Sequence, residues 1–200
     1  MGWRAFGEAL VTLLVIMDPL GNAPVFVSLT SHLDPRESRR AALAAVAAAA
    51  GLVLGFALFG QLVLEYLNIS VESLSIAGGL LLFLVALDML RGTGSPREPT
   101  AGDNIALFPL ATPLLAGPGA IASAMVLVRR YPSAGGRASV VAGIVVAVLV
   151  VGAALLVADR LSRLVSRSVV QFLTRVLGLL LSAIAVQLVV DGVQGLLDRA

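Results

Sequence analysis

Long apolar runs separated by short polar breaks make up nearly the whole chain. Six runs, over residues 6–29, 42–64, 71–90, 105–128, 138–158 and 169–190, are long enough to cross a bilayer, which takes about 20 apolar residues as a helix. The second, AALAAVAAAAGLVLGFALFG, carries Gly51 and Gly55 at the spacing that lets helices approach closely. The pair is expected to pack inside the bundle. The longest polar stretch, RGTGSPREPTAGDN (91–104), is rich in Gly and Pro and reads as a linker. It divides the chain into a first three-helix unit (1–93), a loop (94–104) and a second three-helix unit (105–200). The predicted fold is therefore an all-α polytopic membrane protein.

Two of the runs are interrupted from within. The first contains MDPLGNAP (17–24), a carboxylate, an amide and two prolines inside an apolar segment. The fourth contains TPLLAGP (112–118). Asp18-Pro19-Leu20 aligns with Thr112-Pro113-Leu114, and Pro24 with Pro118, at a constant offset of 94. A weaker match places GGLLLFLVALDML (78–90) on LGLLLSAIAVQLV (177–189), with Gly79 on Gly178. Three spans are an odd number, so the second unit enters the membrane from the opposite side. The units then form inverted repeats whose broken helices, the first and fourth, face each other near the midplane, the arrangement of many secondary transporters.

Composition narrows the class further. The chain is 58% hydrophobic and 13% charged, about half the charge of a soluble domain. There are no cysteines, so no disulfide, thiol nucleophile or Cys metal site exists. His32, the one histidine, lies in a loop leading into the second helix, and no metal role is expected of it. No Ser–His or paired intramembrane Asp arrangement suggests an enzyme, and no resident cofactor or nucleic-acid partner is expected. The first run lacks a small-residue cleavage pattern and is read as a retained span. Arg36, Arg39, Arg40, Arg91, Arg97, Arg160, Arg163 and Arg167 fall on one side of the spans. Arg4, Arg129, Arg130, Arg137 and Arg199 fall on the other. The positive-inside rule then puts both termini outside. Glu72 and Asp191, near helix ends, are expected to be solvated, and Gln187 to hydrogen-bond between helices.

The broken helices carry the candidate chemistry. Unwound backbone at membrane depth is tolerated only beside protein or a water-filled cavity, and its free N–H and C=O groups are ligands. Pro19, Pro24, Pro113 and Pro118 are expected to break the helices, with the first restarting near Ala23–Pro24. An intramembrane carboxylate is costly and by default functional. Asp18 with Asn22 and Gly21 is expected to take an ammonium or a coupling cation. Thr112 and the N–H groups of Ala116, Gly117 and Gly119 are expected to take a carboxylate. Ala23 and the small residues around the second break limit the ligand to a small zwitterion.

The motifs DPLGNAPVFVSLT (18–30) and PLATPLLAGPGAI (109–121), in a chain of this length with six spans, resemble the MarC family of bacterial and archaeal inner-membrane proteins. These sit among the lysine-exporter-like transporters. The resemblance implies transport, in some members of glycine- and alanine-type neutral amino acids with cation coupling. It places Asp18, Pro19, Gly21, Asn22, Pro24, Pro113, Gly117, Pro118 and Gly119 in the transport path. Export of another small metabolite or drug, and a membrane interaction role without transport, are the competing expectations. The coupling ion (Na+ or H+), the direction of transport and the presence of a homo-oligomer stay open.

Overall fold

The computed structural model describes residues 2–91, 115–160 and 166–198, and among these the regular structure is entirely helical. The first span is two helices, α1 (Trp3–Met17) and α2 (Pro19–Leu29), divided at Asp18. Then follow α3 (Pro35–Tyr66), α4 (Val71–Arg91), α5 (Pro118–Arg130), α6 (Ala134–Leu156) and α7 (Arg167–Leu197). Five segments are long and apolar enough to cross a membrane: 3–29, 35–66, 71–91, 134–156 and 168–197. The expected fourth span, 105–128, lies outside the described residues as far as residue 114. Its described part is α5, of 13 residues.

Helix ends follow capping rather than hydropathy. α3 begins at Pro35, seven residues before the second apolar run, because Asp34 precedes a proline at the first helical position and its N–H donates to the Glu37 carboxylate at 3.2 Å. Ser133 and Ser166 start α6 and α7 by accepting the N–H groups of Gly136 (3.1 Å) and Val169 (3.4 Å). Continuous hydrogen bonding carries α7 past the end of the apolar run at 190, to Leu197.

The exterior is apolar. Phe59, Leu62, Leu80, Leu84, Leu149 and Leu179 are exposed, as a bilayer solvent requires. The interior is built from small residues. On α3 the buried stripe is Ala42, Ala45, Ala49, Val53, Ala57, Gly60 and Leu64, spaced three or four apart. Gly51 and Gly55 lie two positions out of phase with it, and a Cβ on either would meet nothing within 4 Å. They face away from the bundle, which corrects the expectation that they pack inside it.

α4 and α7 form an antiparallel seam. A Cβ on Gly79 would lie 2.7 Å from the carbonyl oxygen of Ala185, and one on Gly178 would lie 3.2 Å from that of Ala86. Closer to the ends, Gly192 meets the carbonyl of Glu72 at 2.8 Å. The backbones approach so closely that side chains do not fit between them. Elsewhere α1 packs on α6, α5 and α7, α2 on α6 and α7, α3 on α5 and α6, and α5 on α4 and α6.

Candidate functional site

The first break is one residue wide. Asp18 adopts φ 36° and ψ 72°, the left-handed region that a residue with a Cβ occupies at a cost. Its backbone both ends α1 and starts α2: its N–H donates to Leu14 O (3.1 Å) and its carbonyl accepts from Asn22 N (3.0 Å). The carboxylate folds back and accepts the Gly21 N–H at 3.0 Å, capping α2. The Asn22 side chain donates to the last carbonyl region of α1, at Met17 O, 2.7 Å away. Asp18 and Asn22 thus stitch together the two helix ends they separate. Gly21 is required here, because a Cβ would collide with the Asp18 carboxylate.

This differs from the expected geometry. The helix restarts at Pro19, and Pro24 sits inside α2 instead of breaking it. Pro19 occupies the first helical position, where its missing N–H costs nothing. Pro24 deletes only the bond that the Leu20 carbonyl would receive. One left-handed residue with two side-chain caps is enough to divide the span, so no full turn unwinds.

The second break is described from Leu115. Gly117 is extended (φ −65°, ψ 164°) and precedes Pro118, which starts α5. Its carbonyl accepts from Ala120 N (3.0 Å) and Ile121 N (3.2 Å). The Gly119 N–H points out of the first turn with no intrahelical acceptor, as at any helix start. Leu115, Ala116, Gly119 and Ala120 are buried. Thr112 and Pro113 lie outside the described residues.

The two breaks share one core. Met17 and Ala23 belong to the same buried cluster as Leu115, Ala116 and Ala120. Their depths agree as well. Arg130 at the end of α5 donates to Glu8 on α1, which fixes both helices at one level. Ten residues of α1 then put Asp18 about 15 Å deeper, and thirteen of α5 put Gly117 about 20 Å deeper, at 1.5 Å per residue. The difference is about one helical turn. Asp18, 7% exposed, lies about 22 Å along a span of about 40 Å, well inside a hydrocarbon layer about 30 Å thick.

A cavity opens on each side of this level. Beyond the end of α2, a recess of about 580 Å³ is lined by Phe26, Thr30, Arg39, Leu155, Asp159 and Arg160, among others. Toward the start of α1, a smaller cavity of about 140 Å³ lies among α1, α5 and α7. Its mouth holds a network not foreseen from the sequence. Arg130 donates to Glu8 and, at 2.6 Å, to Asp191. Gln187 donates to the second oxygen of Asp191 at 2.6 Å, along its own helix and not across to another. The Tyr131 hydroxyl donates to the second oxygen of Glu8. Alongside, Arg129 pairs with Glu72 at 2.9 Å. Glu72 and Asp191 are therefore paired across helices, not simply solvated. Their partners stand 57 and 61 residues away in the chain, and a local pattern does not reveal them.

Comparison with known proteins follows the same lines. The chain is 39% identical to a UPF0056 membrane protein of Methanocaldococcus jannaschii, over 98% of this chain and 100% of the relative. It is 35% identical to a UPF0056 membrane protein of Aquifex aeolicus, over 97% and 94%. It is 34% identical to the UPF0056 inner membrane protein YhgN of Escherichia coli K12, over 94% and 95%. No solved structure matches it. The model of the MarC family of integral membrane proteins matches residues 3–197, and with these relatives it shows that the chain is an integral membrane protein of the MarC family.

Proposed function

We propose that this protein is a secondary transporter of small neutral amino acids, of glycine or alanine type, driven by a Na+ or H+ gradient. One observation carries the reading. A buried carboxylate at a helix break lies at membrane depth, level with a second break, with a cavity on either side. Asp18 is the natural partner for an ammonium or a coupling cation. The start of α5 offers N–H groups and a positive helix end to a carboxylate. Ala23, Ala116, Gly117, Gly119 and Ala120 leave little room for a larger side chain. That favours a small zwitterion over a bulky drug.

An inverted repeat of the two units is part of the same reading. The α4–α7 seam is self-complementary: Gly79 meets Ala185 as Gly178 meets Ala86, and both pairs stand at one offset of 99. Two packing pairs exchange in the same sense, α2–α6 with α5–α3 and α2–α7 with α5–α4, while α5–α6 has no α2–α3 counterpart of similar extent. This is the pattern of a two-fold relation between units. With both termini outside, the wide recess beyond α2 faces the cytoplasm, and the narrow cavity faces out. In a cell with two membranes we place the protein in the inner one, where YhgN's name puts that relative.

Uptake of labelled glycine and alanine into proteoliposomes, with imposed H+ or Na+ gradients, tests the reading. Gradient-dependent accumulation is expected. No accumulation of either under any gradient, from folded protein, overturns it and favours another small metabolite or a role without transport.

A further inference from the structure

The small cavity among α1, α5 and α7 has a feature that its mouth does not explain. Ser123, 2% exposed, is part of the cavity's lining, and its Oγ is buried with no hydrogen-bond partner. A buried hydroxyl left unpaired is costly. In a helix, serine usually satisfies itself on the carbonyl one turn back. Here that bond is not made, and Thr12 and Gln187 stand with Ser123 on the wall. The walls between are apolar, formed by Val126, Leu127, Ile184 and Leu188. A volume of about 140 Å³ holds a few waters at about 30 Å³ each, or one molecule of glycine's size.

The network bridges part of the mouth. Glu8, Arg130 and Asp191 come from three different helices and hold one another across the opening. Their side chains are 28%, 44% and 28% exposed, so each pair is partly solvated and modest by itself, and the two act together. By helix rise, Thr12 lies about 6 Å below Glu8, and Ser123 about 10 Å below Arg130. The cavity therefore sits between the network and the two helix breaks.

We propose that this cavity is a transit site for a small zwitterion, closed by an ion-pair lid whose charges the solute replaces as it passes. The proposal rests on the transport reading above. A zwitterion carries both charges that the lid needs. Its carboxylate takes the place of a carboxylate on Arg130, and its ammonium takes the place of the guanidinium on the carboxylate released. Neither protein charge is then left alone, whereas a solute with only one charge strands one of them, which is strongly unfavourable once water is excluded. Below the lid, Ser123 turns its unpaired hydroxyl to the solute and gains the hydrogen bond it otherwise lacks. The arrangement selects for paired charge at short separation before the solute reaches Asp18.

The absence of cysteine gives a direct test. Ser123→Cys places a single thiol on the cavity wall, and its modification by a small thiosulfonate in proteoliposomes reports access. Slow labelling is expected. Glycine at about ten times its Kd slows it about tenfold, while acetate or methylamine at the same concentration leaves it unchanged. Adding Arg130→Gln speeds labelling by about tenfold or more, as expected when a lid held by more than about 1.4 kcal/mol is lost. Thr12→Cys, on the facing wall, serves if the first variant does not fold. The proposal is overturned if glycine gives no protection, if all three solutes protect alike, or if Arg130→Gln leaves the rate unchanged. Glycine uptake on the same vesicles separates the two readings. Uptake without protection overturns this site and leaves transport standing. Protection without uptake leaves a zwitterion-binding cavity but overturns both transport and the transit role.

Discussion

Replacing Asp18 by Gly, Ala and Asn separates its backbone role from its chemical one. At φ 36° a Cβ costs about 1 kcal/mol, which glycine avoids. The carboxylate also caps the Gly21 N–H. Losing that cap to Ala costs about 1 kcal/mol, but to Gly only a few tenths. Against this, Gly gives the unfolded chain extra entropy, worth about 0.4–1 kcal/mol. The balance leaves Asp18→Gly about 1 kcal/mol more stable than Asp18→Ala. In an ordinary helix interior the order is the reverse, by about the same amount. Asn tolerates the left-handed region and keeps an oxygen for the cap, so Asp18→Asn stays closest to the native protein. Thermal unfolding of the detergent-solubilised protein, followed by circular dichroism, reads this order. All three variants are expected to lose gradient-driven glycine uptake, because none keeps the charge. An Ala variant more stable than the Gly variant refutes the backbone argument. Full uptake by Asp18→Asn refutes the assignment of the carboxylate as a ligand.

Three further outcomes follow from the same structure. Gly21→Ala drives a Cβ into the Asp18 carboxylate and should cost about 1–3 kcal/mol as overpacking, with uptake falling alongside; unfolding and uptake of that variant check both. Gly79→Val and Gly178→Val each force α4 and α7 apart at a carbonyl contact, so both should destabilise by about the same amount, and unequal melting shifts would count against a two-fold seam. The Tyr131 phenol is held above its ordinary range chiefly by the hydrogen bond that it donates to Glu8. Its folded value exceeds its unfolded one, so the stability it adds is complete below about pH 10 and is lost as pH rises through the raised value. Ultraviolet titration of the phenolate, and a flatter alkaline stability profile in Tyr131→Phe, check this.

How much of the site was legible depends on what made each part. The break at Asp18 stands out because a charge and two prolines interrupt an apolar run, and both are costly at membrane depth. Its shape was less legible. Prolines mark where a helix is weak, but a single left-handed residue with two capping side chains decided where it stopped, and Pro24 was absorbed into α2. Similar logic explains α3. Its small residues lie on every side, so composition alone gave no inward face, and Gly51 and Gly55 fell on the wrong one. The lid was not legible at all. Glu8, Arg130 and Asp191 each sit near a helix end, where a charge ordinarily meets water, and only the fold brings them within bonding distance.

That contrast bears on how the molecule can work. The breaks, marked in the sequence by a charge and prolines, and the glycines of the α4–α7 seam, a weaker signal there, are backbone features. The elements hidden from the sequence, the lid and Ser123, belong to side chains of one end only, at α1, α5 and α7. If the two units are related by a two-fold, as proposed above, the scaffold treats its two ends alike. Selection of solute needs a difference, and the difference resides where the ends are unlike: a narrow, ion-paired cavity on one side and a wide recess on the other. If the repeats supply motion and the lid supplies selection, changes at the seam should alter how fast every solute moves, and changes at Arg130 should alter which solute moves. Turnover measured for glycine, alanine and a larger neutral amino acid in Gly79→Ala and Arg130→Gln distinguishes these effects, and a seam variant that reorders preference among the three would refute the division.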